Sequence, residues 1–337
     1  TATRVTGTTA KVTYTNAENA ALTAAEINLV GDAVGTVTLK NAVKVTGGHE
    51  ALTKAFVTTS TAVTGTSAKV TFTDVNTTDV DATEITNVVG NVGSVAIQNK
   101  INIKGNKTQV KAALVDALTK ATISTDGTTA TISDAASLSE ANAIAATTNI
   151  KASFTAGLSD TASGLTKNAT TISDDMAAVT TDQSDIKIAI TDNDTEEVAA
   201  TRLSAIGGST TGAVTVAKAI VVKDTHDNLT AAFVTDSKKV TASNAVVTFT
   251  DLENADVSAS ALSDIGKVVG SATVQNAIKV EATGSALTAA FVTTSTAVTA
   301  TSAKVTYSDA TDETLTAAEI NLVGDAVGTV TLKNAVK

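Results

Sequence analysis

Residues Leu22–Lys44 read LTAAEINLVGDAVGTVTLKNAVK, and the same letters stand again at Leu315–Lys337. The offset is 293 residues (22 to 315), and at that offset Lys11-Val-Thr-Tyr14 recurs as Lys304-Val-Thr-Tyr307. Inside this long period lies a shorter one of 58 residues (Lys11 to Lys69, Phe56 to Leu114, Phe233 to Phe291). One landmark of the short period is LTxAF, at Leu52–Phe56, Leu229–Phe233 and Leu287–Phe291. It is more diverged at Val110–Leu114 and Leu165–Ala169. The other is a VT[FY]TD pattern at Val12–Asn16, Val70–Asp74, Thr131–Asp134, Ala189–Asp192, Val247–Asp251 and Val305–Asp309. Nested periods of this length are the mark of a tandem array.

One unit can be read outward from the quoted stretch. Val37, Leu39, Val43 and Val45 alternate with polar or small residues, a strand period of two that Gly47-Gly48 breaks. Ala51, Leu52, Ala55, Phe56 and Thr59 fall at helical spacing. Val70 and Phe72 alternate with Thr and Lys as a second strand. Ile85, Val88, Val89 and Val92 form another helical stripe, with Gly90 and Gly93 as its stop signals. Val95 and Ile97 then open the next strand. The unit is βαβα, and linker-free βα halves of this length imply a parallel sheet reached by right-handed crossovers. The strands carry a Thr-rich face opposite a Val, Ile and Phe face, so helices should cover one side only.

The expected fold class is therefore α/β: tandem βαβα repeats of about 58 residues stacking as a solenoid with a parallel sheet and helices on one face. The alternative is a string of small βαβα domains. The repeats divide as 1–42 (partial), 43–100, 101–157, 158–218 (diverged), 219–277 and 278–337. Both ends cut through a unit without the polar caps an array usually carries, so the last repeat is expected to continue in a longer chain.

Composition supports thin, layered cores. Hydrophobic residues make up 43%, yet aromatics only 2%, and Pro, Cys and Trp are absent. Ala, Val, Ile and Leu must fill the interior. The formal net charge of −10 disfavours nucleic acid as a partner, which needs clustered Lys and Arg. No apolar run approaches the roughly 18 residues that would suggest a membrane span.

Catalysis needs one singular constellation, and the sequence offers none. The two histidines, His49 and His226, each stand three residues before their unit's Leu, so they are equivalent positions near helix starts, expected at the surface. Serine-hydrolase, zinc-protease, P-loop and dinucleotide motifs are missing. The expectation is no enzyme and no cofactor, with calcium as the one candidate ion.

Acidic clusters recur after the second strand: Asp74, Asp79 and Asp81; Asp192, Asp194, Glu196 and Glu197; Asp251, Glu253 and Asp256; Asp309, Asp312 and Glu313. Closely spaced carboxylates can ligate calcium, and Asp192, Asp194, Glu196 and Glu197 are the best candidates. The favoured reading is helix capping, with the extra acid placed to suit the helix dipole. Asn41, Asn99, Asn276 and Asn334 recur before Val43, Ile101, Ile278 and Val336. They either form a structural ladder by bonding the backbone of a neighbouring unit, or sit in a turn. Asn-x-Thr triplets at Asn76, Asn106, Asn168, Asn193 and Asn228 are glycan acceptors in a suitable host.

The units, such as VKDTHDNLTAAFV at Val222–Val234 and LTAAEINLVGDAVG at Leu22–Gly35, resemble repeats of giant bacterial surface and secreted proteins. Cyanobacterial-type cell-surface proteins, surface-layer proteins and long adhesins share this style. The resemblance implies export, an extracellular or cell-surface address and calcium dependence, although the glycine-rich calcium nonapeptide of such proteins is missing here. The expected function is a structural repeat segment of a filament, sheath or surface layer that self-assembles with copies of itself. The alternative is an adhesin stalk or ligand-binding region, with cell-surface polysaccharide as its partner.

Overall fold

The computed structural model describes residues 7–58, 63–117, 120–123, 127–147, 150–235, 237, 239–293, 297–311 and 313–335. Thr59, Asp312 and Val336 lie outside them. The chain divides into two compact units, Thr1–Ala156 and Gly157–Lys337.

The first unit opens with β1 (Gly7–Tyr14), β2 (Ala21–Thr23), α1 (Ala24–Gly31), β3 (Val34–Leu39), β4 (Lys44–Gly47), α2 (His49–Phe56) and β5 (Val63–Phe72). Next come β6 (Asp79–Asp81), α3 (Ala82–Asn91), β7 (Val92–Ile97), β8 (Asn102–Gly105) and α4 (Lys107–Lys111), which a π turn extends over Ala112–Asp116. It closes with β9 (Ala121–Ile123), β10 (Thr128–Ile132), α5 (Leu138–Ala145) and β11 (Ile150–Phe154).

The second unit holds β12 (Leu158–Asp160), α6 (Ala162–Leu165), α7 (Asp174–Asp182), β13 (Ile188–Ile190), α8 (Ala200–Gly207), β14 (Val214–Val216) and β15 (Val221–Asp224). After them come α9 (His226–Phe233), β16 (Val240–Phe249), α10 (Ala259–Gly266), β17 (Val269–Val274) and β18 (Lys279–Ala282). It ends with α11 (Gly284–Phe291), β19 (Ala300–Tyr307), α12 (Ala317–Ala326) and β20 (Val327–Leu332).

This is an α/β protein. Strands pair in parallel, and their partners lie one strand–helix segment away in the chain. Val45 pairs with Val70, and Val70 with Val95, each a step of 25 residues (45 to 70 to 95). The same step joins Val222 to Val247, Val247 to Ala272, Val280 to Val305 and Val305 to Val330. Successive helices also pack on one another, as α1 on α2, α2 on α3, α9 on α10 and α11 on α12.

There is more than one sheet. Among the described residues the first unit has sheets of seven and four strands, and the second of six and three. The run from Val37 to Val45 that alternates as one strand is in fact β3 and β4, broken by a bend at Asn41. Short strands stand ahead of α1, α2, α3, α4, α6, α9 and α11, and among them β2 pairs with β4 and β6 with β8. Long strands join the ladders: β5 meets β3 through Val63 and Thr64, then meets β4 and β7 through Lys69–Phe72, with a register shift between Gly65 and Lys69.

That shift explains a glycine. Gly93 lies in β7 and does not end the preceding helix. A Cβ there would stand 3.0 Å from the backbone of Ser67, at the shifted register. Gly270 and Gly328 meet Asn244 and Ser302 in the same way, so close backbone approach keeps this position glycine.

Val63, Val70 and Phe72 of β5 are buried while Thr64, Thr66 and Lys69 are exposed, as the alternation predicts. The helices bury Leu52, Ala55 and Phe56, or Leu229, Ala232 and Phe233, at helical spacing. The few aromatic rings are the largest core pieces: Phe56, Phe72, Phe154, Phe233, Phe249 and Tyr307 are fully buried. The landmark at Leu165–Ala169 departs from its pattern. Leu165 is buried and ends α6, and Ala169 lies in an exposed turn ahead of α7.

Candidate functional site: carboxylates that tie each helix to the next segment

A helix start leaves backbone N–H groups without intrahelical partners. Gly48 opens α2 with no side chain to accept them, and Thr225 and Thr283 make no cap bond for α9 and α11. The missing acceptor comes from the following segment. Asp74 accepts the His49 N–H on both oxygens at 3.0 Å, Asp251 accepts that of His226 at 3.0 Å, and Asp309 accepts that of Gly284 at 3.0 and 3.1 Å. Each acid stands 25 residues after the first residue of the helix it caps. Asp134 and Asp192 bind the Lys107 and Ala162 N–H groups in the same way, each at 2.6 Å.

These carboxylates are inside the protein: Asp74, Asp192, Asp251 and Asp309 are 9%, 3%, 5% and 8% exposed. Burying a carboxylate is costly unless it is bonded, and the partial positive charge of a helix start is a fitting partner. Helices α1, α3, α5, α10 and α12 cap themselves, through Thr23, Asp81, Ser137, Ser258 and Thr316; α4 and α6 have a cap of their own (Asn106, Thr161) as well as the later acid, and α8 has no side-chain cap. From α1 to α3 and from α9 to α12 the two kinds of helix start alternate.

The asparagines complete the link. Asn99, Asn276 and Asn334 donate their side-chain N–H to the main-chain carbonyls of Asp74, Asp251 and Asp309, at 2.7, 2.7 and 2.6 Å. Asn41 donates to Asn16 at 2.6 Å. Each is half-buried and sits in a bend, so the amide holds a corner while it reaches the corner 25 residues earlier. Three positions are joined in each case: 49–74–99, 226–251–276 and 284–309–334.

Asp74, Asp251 and Asp309 serve the helix just before them, Asp192 serves α6 with α7 between the two in the chain, and of the first cluster Asp81 caps the helix that follows. Asp192, Asp194, Glu196 and Glu197 have four different partners. They are the Ala162 N–H, the Ala219 N–H at 2.7 Å, the Asn193 N–H at 3.0 Å and the Lys223 ammonium at 2.8 Å. Among the described residues no three His, Cys, Asp or Glu side chains are grouped to hold a metal ion. Lys218, which stands in the place of the corner asparagine, lies 4.0 Å from Asp194. Of the Asn-x-Thr asparagines, Asn106 caps α4 and Asn228 donates to Asp224.

The histidines do open helices, but they are half-buried. Each Nδ1 lies 2.6 Å from the same aspartate that caps its backbone, Asp74 or Asp251. Burial of the His49 ring lowers its pKa, but the hydrogen bond and charge of Asp74, with Glu84 and Glu50 nearby, outweigh burial and raise it above the ordinary 6.5. The folded state thus holds the His49 proton more tightly than the unfolded chain. The stabilisation is complete below the ordinary pKa and is lost as pH rises through the raised one. Between about pH 6 and about pH 8 the urea midpoint of the parent should fall more than that of His49→Gln. Identical pH dependence in the two proteins would remove the pair from the account.

No family model and no curated protein sequence matches this chain.

Proposed function

We propose that this chain is an architectural repeat segment of a long extracellular filament, sheath or surface layer. In this reading its βαβα repeats stack as a solenoid with helices along one side, and copies of the chain self-assemble at the cell surface. One observation carries it: the same carboxylate and asparagine bonds recur at 49–74–99, 226–251–276 and 284–309–334. Bonds that join each segment to the one before and the one after make successive contacts equivalent. Such nearest-neighbour contacts are how a stacked repeat gains its stability.

A catalytic role would need one segment to gather convergent groups that the others lack. Here the buried acids are engaged in joining segments. Micrographs of the purified chain at rising concentration, and of native material, test the role. Ordered fibres or sheets with a regular axial repeat are the expected result. Particles that stay monomeric by sedimentation at every concentration, with native material showing no order, would remove it.

A further inference from the structure

The identical stretches 22–44 and 315–337 are in different surroundings, and the difference defines an interaction face. In the first copy, Ala24 and Ile27 of α1 are 0% exposed, and Val37 and Leu39 of β3 are 2% and 5% exposed. The following segment covers them. α2 packs on α1, Gly47 lies against Ala24, and β5 pairs with β3. Two polar bonds fix the fit: Asn28 donates to the Ala51 carbonyl at 2.9 Å, and Lys54 donates to Asp32 at 2.9 Å.

In the second copy the counterparts are uncovered. Ala317, Asn321 and Asp325 are exposed, Ile320 and Val330 are half-exposed, and Leu332 is 43% exposed. Among the named strands β20 pairs with β19 alone. The same residues in the same fold thus present an apolar strip with one amide and one carboxylate beside it.

We propose that the α12–β20 face is a docking site for a polypeptide segment with the sequence pattern of residues 45–72. The occupant lays a helix like α2 over Ala317 and Ile320 and pairs a strand like β5 with β20. It offers a backbone carbonyl to Asn321 and an ammonium to Asp325. The proposal deepens the stacking role above and rests on it. It names which surface receives the next segment and what that segment must carry.

The test is binding of a synthetic peptide, Val45 to Phe72, to the full chain, followed by isothermal titration with a shuffled peptide as control. Saturable binding at one site per chain is expected. Asn321→Ala with Asp325→Ala should weaken it at least about tenfold, since a neutral and a charge-assisted bond are lost together. Leu332→Glu should abolish it. Asn28→Ala with Asp32→Ala, at the covered copy of the face, should leave binding unchanged. No binding at about 100 μM peptide, a concentration at which even contacts of modest size would register, overturns the proposal. So does binding indifferent to the changes at Asn321, Asp325 and Leu332, or self-association of the chain with which the peptide does not compete. Ordered assemblies without peptide binding would remove this face and leave the architectural role. Peptide binding without any assembly would do the reverse.

Discussion

Deletion of residues 45–102 is expected to leave a folded, cooperatively unfolding protein, whereas deletion of residues 45–73 is expected to destabilise the first unit severely. The longer deletion removes one whole period and joins Lys44 to Ile103 where Val45 stood, so a buried Val gives way to a buried Ile. It also sets β3, VGTVTL, in the place of β7, VGSVAI. Asp134 keeps its bond to the start of α4, and Asn41 keeps its bond to Asn16.

The shorter deletion removes one segment and breaks the alternation. Asp74 loses the α2 start and is carried towards α1, whose N-terminus Thr23 and Glu26 already cap. An uncompensated buried carboxylate costs several kcal/mol, of the order of 3 kcal/mol or more. Urea unfolding decides the matter. The in-phase deletion should retain one sharp transition whose denaturant dependence falls with the surface lost. Broad, non-cooperative unfolding of that protein would mean the period is not a structural module.

Asp251→Ala should cost about 3 kcal/mol, because it leaves both the His226 N–H and the His226 ring without their acceptor in a site only 5% exposed. Glu253→Ala, two residues on, changes an exposed side chain whose Lys304 partner is 3.7 Å away, and should cost under about 0.5 kcal/mol. Hydrogen exchange of the α9 amides gives a local readout: the first turn should lose protection in Asp251→Ala before β16 does. Equal costs for the two variants would show that the buried acid contributes no more than a surface charge.

Much of this was legible beforehand. The alternation Val70, Thr71, Phe72 marks a strand with one wet face, and Leu52, Ala55 and Phe56 mark a helix stripe. Even so, β4 and β6 are too short, at four and three residues, for a period of two to distinguish them from the strands beside them. They were invisible as separate strands. The acids were legible as capping residues but not as caps of the preceding helix. Asp74 lies eight residues before α3 (74 to 82) and 25 after the start of α2, and sequence distance favours the wrong partner.

The sequence by itself determined the α/β class, the period, the wet and dry faces of the strands and the equivalence of His49 with His226. Those depend on which residues recur at spacings of two, three and four, and such patterns are local. Only the tertiary structure decided that buried Asp74, Asp251 and Asp309 reach back to helices 25 residues earlier. It alone divided the strands into staggered ladders and left Ile320 and Leu332 uncovered where Ile27 and Leu39 are buried. The reason is physical: identical residues differ in burial and in hydrogen-bond partner according to what the chain lays against them.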